Sequence, residues 1–286
     1  MSNGIYIVKR DGTKEPINID KIHKVVAFAC DGLAGVSSSQ IEMNANLQFY
    51  DGMSTKEIQE VMVRSANDLI SLDAPNYQFA AARLLSYGVN KDVFGEYAPF
   101  SLRKMIELNI ERGVYDAEIL EKYTAEEIDR LDSYIHHKRD ENFTYAGLRQ
   151  VVDKYLCQDR SSGEIFETPQ FMYMMIAATL FANYPKETRM HYVRRYYDAT
   201  SLFKINIPTP VMAGVRTPVR QFASCVLVDS DDTLDSIFAS DMSIGRYTAQ
   251  RAGIGINAGR IRGVNSYVAV VLQHTFRFGI KRLKTS

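Results

Sequence analysis

The sequence predicts an α+β protein that is mostly helical, with a short β hairpin at its front and strands appearing again near its end. Three observations predict this. Two capping boxes, Ser54-Thr-Lys-Glu57 and Thr124-Ala-Glu-Glu127, each place a glutamate three residues after a Ser or Thr N-cap. The opening residues read strand, turn, strand: Ile5-Tyr-Ile-Val8, then Asp11-Gly12, then Glu15-Pro-Ile17. Late in the chain, Gln221-Phe-Ala-Ser-Cys-Val-Leu-Val228 reads as a strand carrying one cysteine, followed by a helix-length segment and then Arg251-Ala-Gly-Ile-Gly-Ile-Asn257.

Bulk properties narrow the function classes. A chain of 286 residues suggests about two domains, and 46% apolar residues are ample for a core. The formal net charge is zero, so overall electrostatics do not mark a nucleic-acid binder. The three cysteines, Cys30, Cys157 and Cys225, form no CxxC and no metal-ligand spacing. That usage fits a reducing cytoplasm. The first residues lack the apolar core of a signal peptide, and the longest apolar run, Phe171 to Ala182, is shorter than the roughly 20 residues that span a bilayer. The expectation is a cytoplasmic protein without a membrane or nucleic-acid partner.

From the front, Asn18 is placed to cap a helix from about Asp20 to Cys30. A second helix fits Ser39 to Phe49, and Asp51-Gly52 breaks it. The helix opened by Ser54 carries Ile58, Val61, Met62, Ala66, Leu69 and Ile70 on one face. Asp73-Ala-Pro75 ends it, and Asn76 to Asn90 reads as a fourth helix. A small β cap thus sits on a four-helix bundle. Lys9-Arg10 and Lys14 lie beside Lys21, which falls in the first turn of the first helix. Cations gathered at a helix N-terminus suit a polyphosphate. The same residue types also describe a solvated basic edge.

Residues 96–205 read as largely helical. Lys138 to Asp140 reads as a charged surface turn, and His136-His137 as surface. Tyr155 to Phe166 reads as a hairpin around Asp159–Gly163. Thr168-Pro169 is an N-cap with proline at the first helical position, and the apolar run after it is a buried helix whose methionines fill the core. Arg189, Arg194 and Arg195, with Tyr192, Tyr196 and Tyr197, read as a solvated or interface face of the next helix.

In residues 206–263, Pro208 and Pro210 restrict the backbone and deny helix, so Thr209 is expected at the mouth of a strand. Ser224-Cys225 falls on a second strand. A lone cysteine in an apolar strand is ordinarily a buried structural residue. Gly253 and Gly255 allow close backbone approach to a ligand. Asp231-Asp232 reads as the N-cap of the helix that follows.

The order and spacing of PTPVMAGVRTP, FASCVL and QRAGIGINAGRIR resemble the start of the catalytic barrel of the class I ribonucleoside-diphosphate reductase large subunit. The string VKRDGTKEPINIDKI is similar to the ATP-cone, the regulatory domain at the front of many of these enzymes. The resemblance covers residues 1 to about 263. It implies an ATP-cone over 1–95, a helical linking domain over 96–205, the first strands of an incomplete ten-stranded α/β barrel over 206–263, and a divergent tail over 264–286.

The resemblance also implies roles. Lys9, Glu15, Asn18, Lys21, Thr55 and Lys91, with Arg10 beside them, would surround ATP or dATP with its Mg. The lysines would take phosphates, Glu15 and Asn18 suit base, ribose or backbone contacts, and Thr55 would donate a hydroxyl. Gly88 departs from the family pattern, which has histidine there, at a position tied to telling dATP from ATP. Thr209, Ser224, Cys225 and Gly253 would line the substrate site. Cys225 would be one member of the redox pair, and neither Cys30 nor Cys157 is its mate. Asp232, Thr233 and Leu234, with Arg262 on the phosphates, would begin a dNTP specificity site. The implied partners are a complementary C-terminal fragment of a split large subunit, a small subunit carrying the metal-radical cofactor, thioredoxin or glutaredoxin, and a second assembled large subunit. The family's cofactors are not covalently bound to this subunit. The rival reading is a non-catalytic adenine-nucleotide sensor with a vestigial barrel.

Overall fold

The computed structural model describes residues 5–250, 252–263 and 266. The chain divides into two compact units, one running to Asn206 and including Arg216–Pro218, the other containing Ile207–Val215 and the residues from Val219 on.

The first unit opens with β1 (Tyr6–Val8) and β2 (Lys14–Pro16), paired antiparallel with Tyr6 opposite Pro16. The turn between them closes through Gly12 at φ 83°, a conformation that glycine adopts without a Cβ penalty. After α1 (Ile19–Cys30) and α2 (Ser38–Asn46) comes β3 (Met53–Ser54), which pairs parallel with β1, Val8 opposite Ser54. This pairing sets the start of α3 (Thr55–Asn67) against the hairpin. The capping box at Ser54 and Glu57 is formed in both directions. α4 (Tyr77–Phe94) continues past Asn90 and ends where Gly95 turns left-handed. α2 is shorter than its pattern and stops at Asn46. The bundle core holds Ile22, Val26, Ile41, Ile58, Val61, Met62, Ala66, Ala80 and Leu84, all buried. Each large apolar side chain buried this way contributes about 1.5–3 kcal/mol. Ile70 was expected on this face but is exposed, because α3 ends before it.

The rest of the unit is helical: α5 (Leu102–Glu111), α6 (Glu118–Lys122), α7 (Ala125–Asp132), a 3-10 turn (His137–Asn142), α8 (Tyr145–Gln150) with a π turn (Val151–Tyr155), α9 (Pro169–Phe181) and α10 (Lys186–Ser201). α9 is buried continuously from Pro169 to Ala178, as its all-round apolar sequence requires. The expected hairpin from Tyr155 is reduced to one bridge, Gln158 opposite Ile165. Its start is taken up by the π turn.

Three polar expectations are corrected here. Lys138–Asp140 is not simply a surface turn: Asp140 is buried and accepts from Gln170 Nε2 at 2.7 Å, while Gln170 accepts from the Tyr197 hydroxyl at 2.6 Å. His137 is not surface but packs edge-on against Phe171 at 5.1 Å, and burial pushes its imidazole down to about 4. Arg189 is not on a solvated face. It is buried, lies 4.3 Å from the centre of the Tyr123 ring, and donates to Glu127 at 3.0 Å. Glu127 therefore serves both the capping box of α7 and an ion pair. For Asp140 and Arg189 a polar partner on a distant helix makes burial tolerable.

The most enclosed pair is Arg216 with Glu167. Both are buried; Arg216 Nε donates to the two carboxylate oxygens at 3.1 and 2.8 Å, and its Nη2 donates to the Tyr155 carbonyl at 3.0 Å. Glu167 also accepts from the Tyr115 hydroxyl at 2.5 Å and the Cys157 amide at 2.6 Å.

The second unit contains α11 (Thr209–Gly214), β4 (Cys225–Asp229), α12 (Leu234–Ala249) and β5 (Gly253–Asn257). Thr209 is not at a strand mouth; it begins α11. Pro208 at the N-cap and Pro210 in the first turn occupy positions whose N–H groups lack helical partners, so the prolines start this helix instead of preventing it. The strand expected from Gln221 begins at Cys225. Gln221 folds back on Ala223, accepting from its amide at 2.6 Å, and so occupies backbone groups a ladder would use. β4 and β5 pair in parallel across the α12 crossover, Cys225 opposite Gly253 through Asp229 opposite Asn257. Among the described residues neither sheet closes on itself. Apart from Ser266, the tail 264–286 lies outside the described residues. No described helix is long and apolar enough to cross a membrane.

Two stability predictions follow from the buried polar groups. Arg216→Met strands the Glu167 carboxylate and should cost ~3–5 kcal/mol in urea denaturation, with Glu167→Gln as a second change recovering part of it. Burial, with the Glu141 charge nearby, raises the Asp140 carboxyl from 3.8 to about 7 against the Gln170 bond. The folded chain then keeps a proton that the unfolded chain loses, so stability falls as pH rises from about 4 to about 7. The Asp140 contribution approaches ~1.4 kcal/mol per pH unit. Asp140→Asn keeps the acceptor for Gln170, and denaturation at a series of pH values should show that contribution removed and stability at pH 8 increased.

Candidate functional site

The strongest site in the first unit is a cavity of 410 Å³ between the β hairpin and helices α1, α3 and α4. Lys9, Arg10, Glu15, Asn18, Lys21, Thr55 and Lys91 all line it. Local chemistry explains their placement. Asp11 folds the hairpin turn by accepting from the Thr13 amide at 2.9 Å, and the turn brings Lys9, just after β1, beside Glu15 on β2. Asn18 caps α1 by accepting from the Lys21 amide at 3.0 Å, so Lys21 sits at the positive end of that helix. Thr55 follows the capped start of α3. Lys91 comes from the last turn of α4, its ammonium 4.8 Å from the centre of the Tyr87 ring.

The charges are already engaged with one another. Glu15 lies 2.7 Å from Lys9 Nζ and 3.8 Å from Lys21 Nζ. Its hydrogen bond with Lys9 lowers the Glu15 pKa and raises that of Lys9, so both stay ionised. Arg10 is held by Asp92 at 2.8 Å. The floor is apolar, from Ile22, Val25, Ile58 and Met62. A ligand with a flat apolar part and several negative charges matches this distribution. Residue types alone left Gln59 and Tyr87 unnoticed as wall residues. Their only signal is helical spacing: Gln59 lies one turn after Thr55, and Tyr87 one turn before Lys91.

In the second unit, Ser224, Cys225 and Gly253 come together. The Gly253 amide donates to the Ser224 carbonyl at 2.8 Å, and Ser224 Oγ lies 3.7 Å from Cys225 Sγ. Cys225 is exposed, against the ordinary expectation of a buried strand cysteine. Thr209 stands on a separate segment, at the start of α11. Of the other thiols, Cys157 is buried, and burial raises Cys30 to about 11.

A third grouping lies at the far end of β4. Thr233, not Asp231 or Asp232, caps α12, accepting from the Ser236 amide at 3.2 Å. The aspartates are engaged by arginines instead. Arg262 bonds Asp232, and Arg260 Nη1 lies 2.9 Å from Asp231 and 3.1 Å from Asp229. Asp232, Thr233, Leu234 and Arg262 are thus neighbours, with Leu234 the first residue of α12.

Comparison with known proteins follows the same division. Residues 5–89 match the ATP cone domain family, 141–220 the ribonucleotide reductase all-alpha domain, and 223–276 the ribonucleotide reductase barrel domain. The ribonucleoside-diphosphate reductase 1 subunit alpha of Escherichia coli K12 is 51% identical over 266 residues, which is 93% of this chain and 35% of that protein. The chain belongs to the ribonucleotide reductase large-subunit family. The subunit alpha of Haemophilus influenzae is similar at 50% identity over 268 residues, 94% of this chain and 35% of that protein. That of Enterobacteria phage T4 is 42% identical over 274 residues, 95% of this chain and 36% of that protein. The chain spans about a third of the length of these relatives. The barrel match runs past Gly263 into the tail.

Proposed function

We propose that this chain is the N-terminal part of a large subunit that reduces ribonucleoside diphosphates to deoxyribonucleoside diphosphates. It acts with a complementary C-terminal fragment carrying the rest of the barrel and with a radical-generating small subunit. The observation that carries this reading is Cys225 at the start of β4, beside Ser224 and paired with Gly253, in a chain of this family. As the 2′-hydroxyl leaves as water, two thiols give up two electrons and close to a disulfide. Thioredoxin or glutaredoxin restores them by exchange. Cys225 supplies one of the thiols; its mate and the acid–base groups come from the later barrel strands. Thr209 and Ser224 offer hydroxyls to the substrate nucleotide.

In this reading the 410 Å³ cavity takes ATP or dATP with Mg, the lysines meeting the phosphates and the apolar floor meeting the base. Asp232, Thr233, Leu234 and Arg262 begin the dNTP site that selects among substrates, completed in a dimer of assembled large subunits. Exchange of Asp232 for a phosphate as the partner of Arg262 is chemically direct, since both are anions suited to a guanidinium. The two parallel strands among the described residues cannot make a barrel, so catalysis depends on further strands. The reaction takes place in the cytoplasm.

Two measurements check this. Co-expression with the complementary fragment, pull-down through a tag on this chain and addition of the small subunit should give CDP reduction that Cys225→Ser reduces to background. A complex whose turnover survives Cys225→Ser would leave only a nucleotide sensor. Calorimetry on this chain should show ATP binding that Lys21→Met weakens about tenfold, the loss of one charge-assisted contact.

A further inference from the structure

Gln221 folds back onto the residue two places on, immediately before Ser224 and Cys225. Its Oε1 accepts from the Ala223 amide at 2.6 Å, and its Nε2 donates to the Ala223 carbonyl at 3.0 Å. A backbone N–H only donates and a carbonyl only accepts, so one side chain that engages both must carry an acceptor and a donor side by side. Glutamine carries both. An ionised glutamate has acceptors alone, and methionine, of similar length, has no donor.

This clamp takes Ala223 out of strand pairing. β4 starts only at Cys225, and Ser224 is the residue left between clamp and ladder. The peptide before Ser224 is held by Gln221, and its own carbonyl accepts from the Gly253 amide at 2.8 Å. Along a regular strand successive side chains point to opposite faces. A serine hydroxyl and the thiol of the next residue therefore come together only where the backbone leaves that alternation. Ser224 Oγ lies 3.7 Å from Cys225 Sγ, within reach of a hydrogen bond to sulfur. The break that Gln221 imposes falls where this departure is needed.

The turn is also seated on α11. A Cβ built on Gly214 would meet Val219 at 3.4 Å and the Phe222 ring at 3.7 Å, so the segment around Gln221 lies against the end of that helix. The same helix opens with Thr209. We propose that Gln221 is a positioning residue of the reductase. By clamping Ala223 it ends the strand before Ser224, and it turns the Ser224 hydroxyl and the Cys225 thiol to one side, where a single ribonucleoside diphosphate meets both. This rests on reading Ser224 and Cys225 as residues that face the substrate. The Gln221 amide is spent on the backbone, so its effect passes through Ser224.

Two measurements test this, one on the full chain alone and one on the assembled enzyme. On the chain, iodoacetamide alkylation of Cys225 near neutral pH, followed by mass spectrometry of its peptide, reports the hydroxyl beside the sulfur. Ser224→Ala should slow it about fivefold, the worth of one hydrogen bond to the thiolate. Gln221→Met should slow it as much, and the double variant no further, since both changes remove the same contact. Gln221→Glu keeps the acceptor and loses the donor; it should behave as Gln221→Met does, and it serves if the methionine variant does not fold. In the enzyme assembled with the complementary fragment and the small subunit, Gln221→Met should lower kcat/KM for CDP about tenfold, but by less than about twofold when Ser224 is already alanine. A merely structural role would lower the thermal midpoint and add its loss to that of Ser224→Ala in both measurements. Additive losses, or alkylation at the wild-type rate in Ser224→Ala or in the Gln221 variants, overturn the proposal and leave the reductase reading in place. Alkylation that behaves as expected in a complex that reduces no CDP overturns the reductase reading, and the role of Gln221 in the reaction with it.

Discussion

The Glu167 carboxylate is the constraint on which the helical part of this chain depends. It is fully buried, yet each oxygen is engaged, by Arg216, by the Tyr115 hydroxyl and by the Cys157 amide. Arg216 in turn holds the Tyr155 carbonyl, and its own carbonyl accepts from the Asp116 amide at 3.0 Å. Segments distant in sequence are thereby tied to one carboxylate that cannot be left unpaired. A buried ion pair of this kind contributes little net stability against an apolar alternative, but removing one partner is costly. It acts on register: Glu167 immediately precedes Thr168 and Pro169, which start the buried helix α9, so that helix begins where the carboxylate is held.

The ATP-cone works by the opposite arrangement, with charges kept near water and only partly paired. Glu15 sits between Lys9 and Lys21, and Arg10 is paired with Asp92. The cations are thus held in place without the desolvation cost that a buried cluster would carry. In the proposed nucleotide site a phosphate chain would compete for them with a carboxylate, its higher charge favouring the exchange. Beneath them the floor is built from side chains that also belong to the bundle core, such as Ile22, Ile58 and Met62. The cavity and the bundle core thus share side chains, the arrangement by which the proposed effector site would act on the packing of the helices.

In the second unit the parallel pair β4 and β5 carries both candidate reductase sites at its two ends. Cys225 and Gly253 are partners at one end of the ladder, and Asp229 and Asn257 at the other, next to Asp231, Asp232 and the cap of α12. One short strand separates the proposed redox cysteine from the proposed selector of substrate. A shift of β4 along β5 would displace both together, since the register links them.

Local rules in the sequence determined the start of most elements. Asn18, Ser54 and Thr124 cap helices because a side-chain acceptor satisfies an amide three residues on, and that needs no distant partner. Asp11-Gly12 makes its turn for an equally local reason. The seven cavity residues were legible only through the resemblance of VKRDGTKEPINIDKI to the ATP-cone, since the residue types alone equally describe a solvated basic edge. What the sequence did not determine were the fates of polar groups whose partners are far along the chain. Arg189 and Asp140 read as surface residues, and only the folded helices bring Glu127 and Gln170 to them. Thr209 read as strand-bound between two prolines, and the structure used the same prolines to begin a helix, since helix starts also tolerate the missing N–H. Gln59 and Gly88, 29 residues apart on separate helices, became neighbours only through the packing of α3 on α4. Local backbone chemistry is written in the order of residues, whereas which polar groups are buried together is decided by the tertiary structure.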